Sequence, residues 1–161
     1  TFLFSNDLEN VGKWYRQLMG ESIGKEHDLN QKKVNRGITP TVSIGSTDLH
    51  SMAQLYLGGP HDKVTTFITL NSFNSTVKVP VMKEYDMLVP SIQGKNMQDI
   101  MKAIEKGVKT AFAKGNRPFI EITLPDKSEE SVGQLLQMKM VEMMLLGRLL
   151  NVNPFDQPNV E

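Results

Sequence analysis

From Asp7 to Met19 the apolar residues Leu8, Val11, Tyr15 and Leu18 recur at helical spacing. The pattern predicts a helix that stops at Gly20, where a left-handed residue is tolerated, and leaves Glu21 on the loop just beyond. Residues 22–39 are polar and punctuated by Gly24, Asn30, Asn35 and Gly37, which reads as one long loop. "PTVSI" (40–44) reads as a short strand, and residues 45–59 as a turn and helix ended by Gly58-Gly59. "KVTTFITL" (63–70) is a second strand rich in β-branched residues, and "STVKVPV" (75–81) suggests an edge strand because of its proline. Asn96 with Asp99 makes a capping pair for a helix whose face runs through Met97, Ile100, Met101, Ile104, Val108 and Ala111 as far as Gly115. "FIEITL" (119–124) is the third clear strand. Ser128 caps a last helix to about Leu150, apolar nearly all round its second half except at Gln137, Lys139, Glu142 and Arg148. Such a helix is expected to be buried on more than one side, against the sheet and a partner subunit.

Strands that alternate with helices predict an α/β fold, a three-layer sandwich with a mostly parallel sheet flanked by helices and no internal repeat. In such folds ligands sit beyond the carboxyl ends of the strands, which directs attention to the loops after 44, 70 and 124. The length of 161 residues fits one well-buried domain. Eighteen Lys and Arg balance 18 Asp and Glu, so no net field draws the chain to nucleic acid or an anionic membrane, and an anionic ligand must be held by local geometry. The absence of cysteine removes thiol catalysis and thiolate metal sites and fits a reducing cytoplasm. No segment reaches the roughly 18 apolar residues of a membrane span.

Among groups that could carry chemistry, His27 and His61 stand in polar loops and read as surface residues. His50 falls in the first turns of the helix after the strand at 40–44, on the rim where substrates bind in this fold class, or is structural. Gly45-Ser46-Thr47 suggests a small anion cradle, although Ser, Thr and Asp are also ordinary helix caps. A metal site made of Asp48, His50, His61 and Asp62 would lack any tight ligand motif, and dinucleotide, Walker-type and serine-hydrolase motifs are missing. Glu21 and His50 remain as a base and acid pair suited to proton shuffling beside a carbonyl; spacing alone does not bring them together.

Three segments carry a resemblance. "WYRQLMGESIGK" (14–25), "STDLHSMAQ" (46–54) and "GRLLNVNPFDQPNVE" (147–161) resemble, in the same order, three signature segments of the glucose-6-phosphate isomerases. Asn159 departs from the pattern, which has Gly or Ala there. The resemblance implies a sugar isomerase (SIS) domain, flavodoxin-like and doubly wound, spanning 1–161 as the C-terminal one of two. It implies that the open-chain sugar phosphate loses its C2 proton to Glu21, passes through a cis-enediolate and regains the proton at C1. Gln17 then matches a glutamine lining the substrate site. His50 matches the histidine that helps open the sugar ring, reaching into the neighbouring subunit of a homodimer with shared sites. No cofactor or metal is implied. The phosphate-binding Ser/Thr loop and an arginine facing the enediolate are expected on a preceding domain, and a ring-opening lysine just past Glu161, so the chain alone is expected to be inactive. A non-catalytic sugar-phosphate-binding SIS domain, a structural domain pairing through its last helix, and an isomerase of mannose 6-phosphate are the competing readings.

Overall fold

Alternate residues of "TFITL" face opposite ways, so Phe67 and Ile68 are both buried yet point into different cores. That arrangement repeats across the whole sheet in the computed structural model, which describes residues 1–160. In chain order the elements are β1 (Phe2–Leu3), α1 (Glu9–Ile23), β2 (Lys25–His27), β3 (Lys33–Arg36), β4 (Ser43–Ile44) and α2 (Thr47–Ser51). Then follow α3 (Ala53–Gly58), β5 (Thr65–Leu70), α4 (Met97–Lys114), β6 (Phe119–Leu124) and α5 (Glu129–Leu149). The main sheet has the order β4-β1-β5-β6 with every pairing parallel. The chain winds from β1 to one edge and then crosses back to the other, which makes the sheet doubly wound.

On one face Leu3, Ile68, Leu70 and Leu124 pack with Leu8 before α1 and Leu135 of α5. On the other, Phe2, Phe4 and Phe67 pack with Tyr56 of α3 and Phe112 of α4. The three-layer α/β architecture expected from the sequence is therefore present. Ser128 caps α5 by accepting from the Ser131 amide, and α4 runs from Met97 to Lys114 with Gly115 at its end.

Several local expectations are corrected. The helix does not stop at Gly20, which has open space around it and helical neighbours on both sides. Tyr15, Met19 and Ile23 continue the buried stripe every four residues, and that burial carries the helix three residues further. It ends at Gly24, whose amide bonds the Gly20 carbonyl and where a Cβ would lie 2.7 Å from that oxygen. Residues 22–39 are not a plain loop, for β2 and β3 form an antiparallel hairpin. Its turn is fixed by Asp28, which accepts from the amides of Asn30 and Lys32 at 2.9 and 3.0 Å and lets Gln31 take a positive φ. The proposed edge strand at 75–81 is reduced to one bridge, Lys78 to Asn96. The Asn96 side chain does not cap α4 and instead donates weakly to Asp99 at 3.4 Å.

Within this chain the last helix is buried on one side. Leu135, Lys139, Met143 and Gly147 face inward, while Met138, Val141, Leu145 and Leu149 form an exposed apolar stripe. Lys139 is tolerated inside because its ammonium pairs with Glu142 at 2.7 Å and lies over the Tyr15 ring. Tyr15 in turn donates to Glu142, and burial followed by that bond pushes its hydroxyl well above the ordinary tyrosine value. After α5 the chain reverses at Asn151, with a positive φ, and lays the Pro154 ring onto Gly147. A Cβ at Gly147 would lie 2.9–3.0 Å from three atoms of that rigid ring, so the small residue there is a packing requirement.

Acid sensitivity has a local source at the start of α5. Asp126 accepts from the Ser128 hydroxyl (2.6 Å), the Ser128 amide (2.9 Å) and the Ser131 hydroxyl (2.8 Å), and these bonds hold its carboxyl below the usual value. A folded-state value below the unfolded one means stability that is present above the unfolded pKa of about 3.9 and lost as pH falls through the folded one. Asp126→Asn is expected to flatten the stability curve below about pH 4 and leave its slope at pH 6–8 unchanged. Urea unfolding across that range checks it, and an unchanged acid slope refutes it.

Candidate active site

The second half of α1 presents Gln17 and Glu21 to solvent one turn apart, which places both side chains on one face. Gln17 Nε2 donates to Glu21 Oε1 at 3.0 Å, so the carboxylate is held in one orientation. The structure thus joins two of the three residues picked out from the sequence. Glu21 lies in the last turn of α1 rather than on a loop, and its main chain is held as firmly as its side chain. Lys25, nearly fully buried, donates to the Glu21 carbonyl at 2.6 Å and to the Asp156 carbonyl, with its ammonium 3.5 Å from Asp156 Oδ1. The "ESIGK" segment and the "FDQ" segment therefore meet, although they are more than a hundred positions apart.

Further bonds fasten the β2–β3 hairpin to the chain after α5. The Leu29 amide donates to Asn151 at 2.9 Å, Asn151 Nδ2 donates to Asp28 at 3.2 Å, and Arg36 donates to the Leu150 carbonyl. Asn159, the departure from the pattern, donates to Glu26 on β2 at 3.4 Å. Glu161, the last residue of that segment, lies outside the described residues. A cleft of about 230 Å³ opens beside this junction, lined by Lys25, His27, Asp28, Asn153 and Asp156 among others.

His50 stands elsewhere. Helices α1 and α5 run together, starting where Lys127 pairs with Asp7 after β6 and ending where the hairpin meets Asn151. Glu21 is accordingly at the amino edge of the sheet. Helix α2 begins directly after β4, at the carboxyl edge, so within one chain His50 and Glu21 lie at opposite edges. The rim beyond the strands' carboxyl ends, where the sequence directs attention, holds His50 and not Glu21.

At the Gly45-Ser46-Thr47 turn the Gly45 amide is taken by the Leu3 carbonyl at 2.8 Å, and a carboxylate stands close by. Asp48 brings its own carboxylate there, accepting from the Ile44 amide at 2.7 Å and from the Ser51 hydroxyl at 2.8 Å. His27, His50 and His61 are all exposed, Asp62 pairs with Lys63, and among the described residues no three His, Asp or Glu side chains are grouped as a metal would need. Sequence reasoning missed Lys25 and Asp156 as partners; the signal available was that each lies inside a signature segment.

Comparison with known proteins shows what these segments are similar to. Over 158 residues the chain is 32% identical to the glucose-6-phosphate isomerase of Carboxydothermus hydrogenoformans, covering 98% of this chain and 34% of that protein. The chain is similar to one third of a glucose-6-phosphate isomerase. The probable glucose-6-phosphate isomerase of Methanococcus maripaludis is 34% identical over 154 residues, covering 96% of this chain and 32% of that protein. The crystal structure of a glucose-6-phosphate isomerase from Chlamydia trachomatis superposes with a TM-score of 0.82 at 20% identity, over 99% of this chain and 31% of that one, and shares the fold. No family model matches the chain. It spans about a third of the length of the glucose-6-phosphate isomerases it matches.

Proposed function

We propose that the chain is the C-terminal sugar isomerase domain of a glucose-6-phosphate isomerase and supplies its catalytic base. The reaction is the reversible conversion of glucose 6-phosphate to fructose 6-phosphate, a step of glycolysis and gluconeogenesis in the cytoplasm. Glu21 takes the proton from C2 of the open-chain aldose, the C2–H electrons form the C1–C2 double bond of a cis-enediolate as the C1 carbonyl electrons move onto O1, and then the O2 proton passes to O1, C2=O forms and the same proton returns at C1. Gln17 holds the carboxylate and lines the substrate. The developing charge on oxygen is met by donors from the remainder of the parent, where the phosphate loop and the arginine reside. His50 assists ring opening, and its distance from Glu21 within one chain suits a homodimer in which it serves the neighbouring copy's site.

The observation that carries this reading is the meeting of Gln17, Glu21 and Lys25 with the Asp156 segment, two signature stretches joined through the main chain that bears the Glu21 carboxylate. A domain that merely senses sugar phosphate would need an anion site at Gly45-Ser46-Thr47, and there the Gly45 amide is already taken by Leu3 and the Asp48 carboxylate stands beside the turn as a like charge. The test is conversion of fructose 6-phosphate to glucose 6-phosphate by the full-length parent and by residues 1–161 alone. Activity is expected in the parent only; an inactive parent, or full activity in the short chain, overturns the proposal.

A further inference from the structure

We propose that Lys25 is a positioning residue for the base: its buried ammonium clasps the Glu21 main chain to the Asp156 segment and sets where the carboxylate stands. The inference rests on the isomerase reading for its consequence and on geometry for the clasp itself.

A helix leaves its last four carbonyls without partners inside the helix. In α1 the Gly20 carbonyl is taken by the Gly24 amide, and the Glu21 carbonyl by Lys25 Nζ at 2.6 Å. The ammonium sits against the negative end of the α1 dipole, where a cation is favoured. Its side chain is only 4% exposed, and its remaining reach goes to the Asp156 carbonyl and, at 3.5 Å, to Asp156 Oδ1. That carboxylate oxygen is buried and has no hydrogen bond of its own, so Lys25 is its compensating charge. An ammonium has three N–H donors and no acceptor capacity; here two are taken by the Glu21 and Asp156 carbonyls, and its charge faces the Asp156 carboxylate.

The base is consequently held twice. Gln17 fixes the carboxylate and Lys25 fixes the backbone that bears it. Without the clasp the Glu21 carbonyl is left unpaired, the last turn of α1 is free to fray, and the carboxylate moves relative to the 153–160 segment. Displacement of a reacting group by about 1 Å can cost about a hundredfold in rate.

The experiment uses the full-length protein that contains this chain. In Lys25→Met, kcat is expected to fall about 10- to 100-fold with KM within about threefold, the mark of a misplaced base and not of lost substrate contacts. Because Lys25→Met strands the Asp156 charge, the double variant Lys25→Met/Asp156→Asn is measured beside it and is expected to show the same drop in kcat. Lys139→Met is the control, since it disturbs another buried ammonium between α1 and α5 without touching Glu21. Amide exchange at Ile23, Gly24 and Lys25 is read on the same proteins and is expected to accelerate about tenfold or more in the Lys25 variants alone. A folded Lys25 variant with near wild-type kcat, unchanged exchange at that turn, or an equal loss in Lys139→Met each overturns the proposal. An inactive wild type instead overturns the isomerase reading, and is recognised before any variant is measured.

Discussion

Replacing Glu21 by Gln in the full-length parent is expected to lower kcat by about 10²- to 10⁴-fold while KM stays within about threefold. The substitution keeps the shape of the side chain and an oxygen to accept from Gln17 Nε2, so the local geometry at 3.0 Å has no reason to change. What it removes is the ability to take a proton. At 1.36 kcal/mol per decade the loss corresponds to about 3–5 kcal/mol of barrier, the share a positioned general base contributes. Substrate contacts made elsewhere survive, which is why KM is the control. Steady-state kinetics on the purified variant, with circular dichroism to verify the fold, decides the matter: more than about a tenth of wild-type kcat removes Glu21 from the role of base.

The largest stability effect is expected at Phe67. Its ring is fully buried and contacts four others, with centroids 5.9 Å from Phe2, 6.0 Å from Phe4, 5.1 Å from Phe112 and 5.4 Å from Phe119. The Phe112 and Phe119 pairs are edge-on, the arrangement that ring quadrupoles favour. Phe67→Ala removes the ring where the sheet, α3 and α4 meet, and rings packed this closely cannot fully collapse into the space. A loss of about 3–5 kcal/mol is expected, a large part of the 5–15 kcal/mol typical of a domain. Urea unfolding monitored by circular dichroism measures it, and a loss below about 1.5 kcal/mol would mean that the cluster repacks.

These two predictions also mark how much was legible in the chain. Phe67 lies in "TTFITL", whose β-branched composition identifies a strand, and both long helices α4 and α5 were readable because their apolar stripes run for many turns. Gln17 becomes a candidate only through the resemblance, and Glu21, a candidate base beside His50 from the residues alone, takes its specific proposed role only there, since helical spacing says that the two share a face and nothing about chemistry. The end of α1 was misread because a glycine is an ambiguous stop signal: what decided the boundary was Ile23, whose burial depends on Met143 and Leu146 far along the chain. The β2–β3 hairpin was hidden for a related reason. Its strands are short and polar, and its turn is stabilised by Asp28 and Asn151, a pairing no local pattern announces. The burial of Lys139 is equally hidden in the pattern, because it rests on its partners Glu142 and Tyr15. Distant partners, invisible to periodicity, account for each of these.

The two-residue strand β1 has a consequence for how the chain acquires its structure. Phe2 and Leu3 lie in the middle of the sheet, with Ser43–Ile44 on one side and Phe67–Ile68 on the other. Those partners follow about 40 and about 65 positions later, so the central seam closes only after two long loops have been ordered. Parallel pairing of that kind has a high contact order and is slow relative to the helices and the β5–β6 register around it. The segment that completes both cores is thus the one that must wait longest for its neighbours, and until it docks, Phe2, Leu3 and Phe4 are three adjacent apolar side chains exposed to water.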